Sequence, residues 1–263
     1  MNIKNMKHDE LITKLKELRL TGMAAQYVEA AKIAEKEKLT YEQYLAKLVE
    51  VETEIKRYAK IKRLLHEAKL PLRKTMESYD FSLRTGITAK QFNRLAEGNF
   101  VREAANVVFY GSFGVGKTHL SMSLTTLLCE KGFKCYFTST HALIAELLKA
   151  KNDLTLVSFL KRLDRFDLIV CDELGYIPQE QAGADLFFQL ISQRDERKSL
   201  LITTNLTYSE WDKVFLNPFS TQAAVDRIIR NCETFNIDGE SFRKITAKKR
   251  QQTQQTTLTS EIN

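Results

Sequence analysis

The feature that most restricts the fold of this chain is the stretch "GSFGVGKTHL" at residues 111–120. It follows the apolar run "NVVFY" and precedes a stretch rich in Leu, Met and Ser that is long enough for a helix. It fits the GxxxxGK[ST] pattern of a phosphate-binding loop, in which glycines let backbone N–H groups face phosphates at the start of a helix. The sequence therefore predicts a strand, a loop and a helix that together bind phosphate groups.

The predicted nucleotide contacts form one continuous run of residues. Lys117 would place a positive charge at the β- and γ-phosphates of ATP, and Thr118 would be a ligand of Mg²⁺. Phe113 stands where many such loops have proline, but phosphate contact does not require that side chain. His119 is also compatible with a simple packing or capping role. The run comprises Gly111, Ser112, Phe113, Gly114, Val115, Gly116, Lys117, Thr118 and His119.

The run "LIVCDE" at residues 168–173 places an acidic pair at the end of a second predicted strand. We expect Asp172 to hold Mg²⁺ through water and Glu173 to act as the base that polarises the attacking water. Such a pair can also be only a solvated loop. Together with the phosphate-binding loop upstream, it favours hydrolysis of a nucleoside triphosphate over phosphorylation of a small molecule.

Three further polar residues follow in the second half of the chain. Asn205 ends the run "LLITTN" and can orient a water molecule, although asparagine is also common in turns. Arg227 lies in "AAVDRIIR" and Arg243 in "GESFRK". Exposed arginines often have no special role, but an ATPase needs positive charge opposite the γ-phosphate, and the phosphate-binding loop contains no arginine.

Short apolar runs that alternate with segments of helical length predict the fold class. The runs are "NVVFY", "CYFTS", "LIVCDE", "LLITTN" and "TFNI". This alternation is typical of an α/β fold with a mostly parallel sheet, helices on both faces, and a ligand at the carboxyl ends of the strands. We expect an all-helical basic domain at 1–70, a linker with entry helices at 71–100, an ATPase domain at 101–247, and a basic, then polar, disordered tail at 248–263.

Within the expected helical domain, "TYEQ" at residues 40–43 fits a capping box that starts a helix. We expect Gly22 to end an earlier helix. Tyr44, Leu48, Val51, Ile55 and Tyr58 recur at helical spacing, which is typical of a core-facing stripe and is also compatible with a partner-binding face.

Positive charge is concentrated at the two ends of the chain. Residues 1–75 contain 17 Lys and Arg against 11 Asp and Glu, a net charge of +6, whereas residues 76–242 contain 18 against 21, a net charge of −3. The run "KRYAKIKR" predicts backbone contacts to duplex DNA, with a solvated helix face as the alternative. We call its five cations the basic cluster: Lys56, Arg57, Lys60, Lys62 and Arg63.

Cysteine usage and hydropathy favour a cytoplasmic protein. The four cysteines form no CxxC pair and lie mostly in apolar runs, as reduced core thiols do. No segment approaches the roughly 18 consecutive apolar residues of a membrane span, and the amino terminus lacks the features of a signal peptide. We therefore expect neither secretion nor a membrane partner.

Several longer stretches resemble one known family. "ELRLTGMAAQYVE", "GVGKTHL", "CDELGYIP", "QLISQRDERKSLLITTNLTYSEW" and "DRIIRNCETFNIDGESFR" are similar to the IstB family of insertion-sequence ATP-binding proteins, relatives of the DnaC-type helicase loaders. The resemblance covers residues 8–247. In it, Asn205, Arg227 and Arg243 fall where ring-forming AAA+ ATPases carry sensor 1, the arginine finger and sensor 2.

This resemblance implies a function for the chain. A member of the family is expected to have the AAA+ P-loop fold, to hydrolyse ATP with Mg²⁺, and to assemble into an ATP-dependent oligomer on duplex DNA. It would recruit or stimulate a partner transposase at the target. A replicative helicase loader would carry the same catalytic residues, and a nucleotide-switched DNA-binding module with little turnover is the alternative of another class.

Overall fold

The computed structural model describes residues 8–72, 74–175, 180–215 and 217–242. Two compact units divide the chain after Arg63, so the predicted domain boundary at residue 70 lies seven positions later. Arg243 and the predicted tail at 248–263 lie outside the described residues.

The described part of the N-terminal unit consists of helices, as the sequence predicts. The helices are α1 (His8–Glu17), α2 (Thr21–Glu37) and α3 (Tyr41–Glu67), the last of which runs past the division after Arg63. The capping box at the start of α3 is confirmed, because Thr40 N donates to Gln43 Oε1 at 2.8 Å and Gln43 N donates to Thr40 Oγ1 at 3.2 Å.

The expectation that Gly22 ends a helix is wrong, since Gly22 lies in the first turn of α2. The Glu52 carboxylate of α3 accepts hydrogen bonds from Gly22 N at 2.7 Å and Met23 N at 3.1 Å. A Cβ at Gly22 would stand 2.7 Å from Ile55 Cδ1. Such a Cβ would also lie 3.3 Å from the Glu52 Cα, so glycine favours the close approach of α2 and α3. Helix α1 ends earlier, at Glu17.

The apolar stripe of α3 is buried over only part of its length. Leu48 is buried and Val51 is half-buried, but Ile55 is 40% exposed and Tyr58 is 72% exposed. The core-facing interpretation of the stripe thus holds for its first half.

The second unit contains the remaining helices and the strands. The helices are α4 (Ala89–Ala96), α5 (Asn99–Arg102), α6 (Lys117–Glu130), α7 (Thr140–Asn152), α8 (Leu156–Leu163), α9 (Gln181–Arg194), α10 (Asp212–Phe215) and α11 (Pro218–Ile229). The strands are β1 (Arg84–Thr85), β2 (Asn106–Tyr110), β3 (Cys135–Ser139), β4 (Leu168–Leu174), β5 (Ser199–Thr204), β6 (Cys232–Asn236) and β7 (Asp238–Gly239). Short 3₁₀ helices lie at Met76–Ser78, Phe81–Leu83 and Tyr208–Glu210.

The main sheet has five parallel strands in the order β3-β4-β5-β2-β6. All five predicted strands are confirmed. Strand β5 lies between β2, which leads into the phosphate-binding loop, and β4, which carries the acidic pair. The carboxyl ends of these three strands therefore meet at one edge of the sheet, where parallel sheets bind ligands.

Helices cover both faces of this sheet and bury a core on each. On one face, Leu120 and Leu124 of α6 are buried with Phe109 of β2. On the other face, Leu143 of α7 and Phe187 of α9 are buried with strand residues that include Ile169 and Ile202. The doubly covered parallel sheet predicted from the sequence is confirmed.

Residues before the sheet also belong to this unit. Phe92, Leu95 and Phe100 of α4 and α5 are buried in the same core as Phe109. Strands β1 and β7 form an antiparallel pair in which Thr85 faces Asp238. The segment predicted as a linker with entry helices therefore packs, from α4 onward, as part of the core around the sheet.

The four cysteines are free thiols, with Cys129, Cys135 and Cys171 buried. Across the described ranges, no helix combines the length and apolarity needed to cross a membrane.

Candidate nucleotide-binding site

The phosphate-binding loop links the end of β2 at Tyr110 to the start of α6 at Lys117. Gly111 and Gly116 adopt φ values of +145° and +101°, which side chains rarely tolerate. A Cβ at Gly111 would lie 1.9 Å from the Ile237 carbonyl oxygen, and one at Gly116 would lie 2.6 Å from Tyr79 Cε2. The loop conformation thus requires glycine at both positions.

Lys117 is folded back over the loop. Its Nζ donates to the carbonyl oxygens of Gly111 and Ser112, both at 2.8 Å. Burial lowers the pKa of Lys117, against the opposing charges of Asp172 and Glu173. The ammonium group lies at the loop that would hold the phosphates, where it can exchange carbonyl partners for phosphate oxygens.

Asp172 is a buried carboxylate beside the cleft, with 6% of its surface exposed, and it contacts two residues of the cleft wall. Its Oδ1 accepts hydrogen bonds from Thr203 Oγ1 at 2.5 Å and from Thr118 Oγ1 at 3.1 Å. Burial raises the pKa of Asp172, although the two hydroxyl groups and the Lys117 charge act in the opposite direction. The structure thus joins Thr118 of α6 to Asp172 of β4 by a direct hydrogen bond.

Glu173 and Asn205 complete this side of the site. Glu173 is exposed at the cleft and has a φ of +60°, which is unusual for a residue other than glycine. Its backbone N donates to Thr203 Oγ1 at 2.9 Å. Asn205 follows β5 directly and lines the same cleft.

Sequence reasoning missed Thr203, which contacts both acidic residues. It reads as an ordinary β-branched strand residue in "LLITTN". Only the adjacency of β4 and β5 in the sheet shows that its hydroxyl meets the acidic pair.

The cleft has a volume of about 820 Å³. Besides the phosphate-binding loop, its walls include Leu72, Lys74, Asp80 and Phe242. The first three belong to the segment predicted as a linker, and sequence reasoning assigned none of the four to the site. The volume is in the range that nucleotides and drug-sized ligands occupy.

His119 lies in the cleft wall and joins α6 to the segment before the sheet. Its Nε2 is 2.9 Å from the Thr75 carbonyl oxygen and 3.1 Å from Ser78 Oγ. Its ring centroid lies 5.5 Å from that of Tyr79, whose hydroxyl donates to the Val115 carbonyl at 3.3 Å. These contacts hold residues 75–79 against the phosphate-binding loop.

Arg227 lies apart from this cleft. Its Nη1 donates to the Ala223 carbonyl at 2.9 Å, and its Nε lies 3.9 Å from the Asp195 carboxylate. Its guanidinium also lies 5.1 Å from the ring centroid of Phe188. Among the residues that the structure describes, Arg227 does not line the cleft of its own chain.

The basic cluster lies on α3 in the N-terminal unit, and its members are exposed. Two of them have acidic neighbours on the same helix. Lys56 Nζ lies 3.4 Å from Glu52, and Arg57 Nη1 lies 3.5 Å from Glu54.

The family model of the IstB-like ATP binding protein matches residues 13–252. The chain belongs to this family. An insertion sequence ATP-binding protein of Sinorhizobium fredii is 35% identical over 234 residues, which cover 89% of this chain and 78% of the relative. An insertion sequence ATP-binding protein of Bacillus thuringiensis subsp. berliner is 32% identical over 236 residues, which cover 90% of this chain and 94% of the relative.

A solved structure shares the fold of this IstB-family chain. The AMPPCP-bound DnaA of Aquifex aeolicus matches with a TM-score of 0.53 and 18% identity, over 70% of this chain and 56% of that chain. At this identity the likeness shows the AAA+ fold alone. Family membership and the phosphate-binding site together identify the chain as an ATP-binding protein and an ATPase.

Proposed function

We propose that this IstB-family ATPase is a helper of DNA transposition. In the ATP-bound state it would assemble into an oligomer on duplex DNA and recruit or stimulate its transposase at the target. The observation that carries the proposal is the site, where Thr118 contacts Asp172 while Lys117 and Glu173 line the adjoining cleft. This site occurs in a chain whose relatives are named for insertion sequences.

The residues of the phosphate-binding loop would bind ATP. Backbone N–H groups at the start of α6 and the Lys117 ammonium would hold the β- and γ-phosphates. Lys117 already lies over the loop, 2.8 Å from two of its carbonyl oxygens. It would exchange these partners for phosphate oxygens, at little cost in reorganisation.

Thr118 and Asp172 would hold Mg²⁺. Both offer oxygen atoms, which Mg²⁺ prefers, and these lie 3.1 Å apart. The buried Asp172 carboxylate, whose pKa is raised by burial, would be stabilised by a cation. Within the described ranges no group of three His, Cys, Asp or Glu forms a metal site, so the phosphates would supply further ligands. When bound, Mg²⁺ neutralises charge that develops on the phosphates.

Glu173 would accept the proton of the attacking water, and Asn205 would orient that water. Both lie at the cleft, on neighbouring strand ends. Arg227 would act on the ATP of the adjacent subunit, because it does not line the described cleft of its own chain and yet lies on a helix of the ATPase unit. Arg243 would contact nucleotide as sensor 2.

The N-terminal helical region would bind duplex DNA or the transposase. Residues 1–75 carry a net charge of +6 and expose the basic cluster, whereas residues 76–242 carry −3. Phosphate contacts would therefore be made chiefly by α3. The free thiols fit a reducing compartment such as the cytoplasm.

A reconstituted strand-transfer reaction tests the proposal. It would combine the purified protein, ATP, a target duplex, and the transposase encoded by the same insertion element with its end DNA. We expect the wild-type protein to increase strand transfer and Lys117→Ala to abolish the increase. Lys131→Ala is the matched control, because Lys131 pairs with Glu97 away from the loop.

The competing functions predict other results. A helicase loader would leave strand transfer unchanged and bind the replicative helicase of its host. A nucleotide-switched module would support DNA binding with negligible steady-state phosphate release. Either result would contradict the proposal.

A further inference from the structure

Strand β4 contains an irregularity at its two acidic residues. Its pairing with β5 matches Cys171 with Ile202 and then Leu174 with Thr204. Two residues of β4, Asp172 and Glu173, therefore lie opposite the single residue Thr203. This is the arrangement of a β-bulge, in which the extra residue leaves the regular ladder of backbone hydrogen bonds.

The hydroxyl group of Thr203 forms a hydrogen bond with each of the two bulged residues. It donates to Asp172 Oδ1 at 2.5 Å and accepts from Glu173 N at 2.9 Å. A hydroxyl group has one proton to donate, and here that proton goes to the carboxylate. Thr203 borders the cleft but is only 1% exposed, which limits the access of water to its hydroxyl group.

The bulge places Glu173 in an unfavourable backbone conformation. A non-glycine residue at a φ of +60° is unfavourable, and it persists only where surrounding contacts fix it. The hydrogen bond from Glu173 N to Thr203 is such a contact. The same conformation turns the Glu173 side chain out of the sheet alternation and toward the cleft.

We propose that Thr203 is a positioning residue for ATP hydrolysis, whose hydroxyl group presets both acidic side chains before ATP binds. It holds the Asp172 carboxylate by a direct hydrogen bond. It sets the direction of the Glu173 side chain by holding the backbone N–H of that residue. This inference rests on the roles proposed above for Asp172 and Glu173, and it adds a residue that contacts neither nucleotide nor metal in that scheme.

Two substitutions separate the hydroxyl group from the rest of the side chain. Thr203→Val keeps the shape and removes both hydrogen bonds, whereas Thr203→Ser keeps the hydroxyl group and removes one methyl. Thr125→Val is the matched control, since Thr125 is also a fully buried threonine, but its hydroxyl donates to Ser121 within α6.

The kinetic experiment measures steady-state ATP hydrolysis at saturating ATP and Mg²⁺. A hydrogen bond to a charged group is worth about 10- to 100-fold in an equilibrium or rate. We expect Thr203→Val to lower kcat by that factor, and Thr203→Ser and Thr125→Val to stay within about threefold of wild type. ATP affinity in EDTA should not change, because the phosphate-binding loop is intact, whereas the gain in affinity on adding Mg²⁺ should shrink in Thr203→Val only.

Hydrogen exchange of the nucleotide-free protein provides a readout that does not depend on hydrolysis. In peptides that cover residues 168–175, Thr203→Val should accelerate exchange at the Glu173 amide, and Thr203→Ser should keep it protected. A role in packing alone would affect Thr203→Ser at least as much as the valine variant, because serine leaves the larger void.

The outcomes distinguish this inference from the proposed function. If Glu173→Gln abolishes turnover but Thr203→Val retains both wild-type kcat and wild-type exchange, the inference about Thr203 is wrong and the role of Glu173 stands. If Glu173→Gln turns over normally, the proposed base is wrong, and the exchange data still decide what holds the bulge. If Thr203→Val does not fold, Thr203→Cys replaces the hydroxyl with a weak thiol donor. A cysteine variant as active as Thr203→Ser would overturn the inference.

Discussion

Glu52 offers a quantitative test of how the N-terminal helices are held together. Its carboxylate is 4% exposed and accepts hydrogen bonds from the first-turn N–H groups of α2, at Gly22 and Met23. These donors have no partner within their own helix, because the first four N–H groups of a helix lack intrahelical acceptors. Glu52 on α3 therefore caps α2 from a distance of about 30 residues along the chain.

The structure gives the size of the expected effect. Glu52→Ala leaves one buried and one partly buried N–H group without an acceptor, at about 1–3 kcal/mol each. We expect it to lower the free energy of opening α2 by about 3 kcal/mol. Glu52→Gln keeps an acceptor but loses the charge, and neutral hydrogen bonds are about half as strong, so we expect a loss of about 1 kcal/mol.

The effect of Glu52→Gln should depend on pH. Burial disfavours the ionised form of Glu52, but the N–H groups of Met23 and Gly22 and the nearby Lys56 outweigh it, so its pKa lies below the ordinary 4.5. Stability from the charge is thus fully present above pH 4.5 and is lost as the pH falls through the lowered pKa of the folded state. The difference between Glu52→Gln and wild type should vanish in acid.

Native-state hydrogen exchange of the full chain measures these free energies at the amides of α2. Glu54→Ala is the control, because Glu54 is an exposed neighbour that pairs with Arg57 at 3.5 Å, and such surface pairs contribute about 0–1 kcal/mol. If the amides of α2 are as protected from exchange in Glu52→Ala as in Glu54→Ala, the Glu52 carboxylate does not stabilise α2 and the reasoning is refuted.

Four further predictions concern the ATPase and its partners. Lys117→Ala should remove nearly all ATP binding without unfolding, as measured by calorimetric titration beside Lys131→Ala; unchanged affinity would contradict the site assignment. Glu173→Gln should bind ATP but hardly turn over, so filter-bound ATP complexes should persist; normal phosphate release would exclude Glu173 as the base. A mixture of Arg227→Ala and Lys117→Ala subunits should regain part of the ATP hydrolysis rate, to which an arginine finger contributes roughly 10³- to 10⁵-fold. Co-assembled subunits that stay inactive would contradict the action of Arg227 on the ATP of the adjacent subunit. Neutralising the basic cluster should weaken binding to unrelated duplexes and flatten its salt dependence, measured by anisotropy; an unchanged slope would place the DNA surface elsewhere.

The sequence alone determined the local features of this protein. The glycines of the phosphate-binding loop, the five apolar runs that form β2 to β6, and the capping box at Thr40 are each set by neighbours along the chain. Backbone conformation and side-chain periodicity are local properties, so short windows of sequence contain the information. For the same reason the positions of Lys117, Thr118, Asp172 and Glu173 could be predicted from motifs.

Only the tertiary structure decided which distant residues meet. The placement of β5 between β2 and β4 brings the Thr203 hydroxyl to the acidic pair, and no local pattern in "LLITTN" indicates that strand order. The sequence misplaces Gly22 because the close approach that requires it joins residues 30 positions apart, on the two consecutive helices α2 and α3. Leu72, Lys74 and residues 78–80 likewise line the cleft, and Thr75 and Tyr79 contact the loop at 111–119. Such contacts depend on how whole elements bury their apolar faces against one another, which is a property of the complete chain.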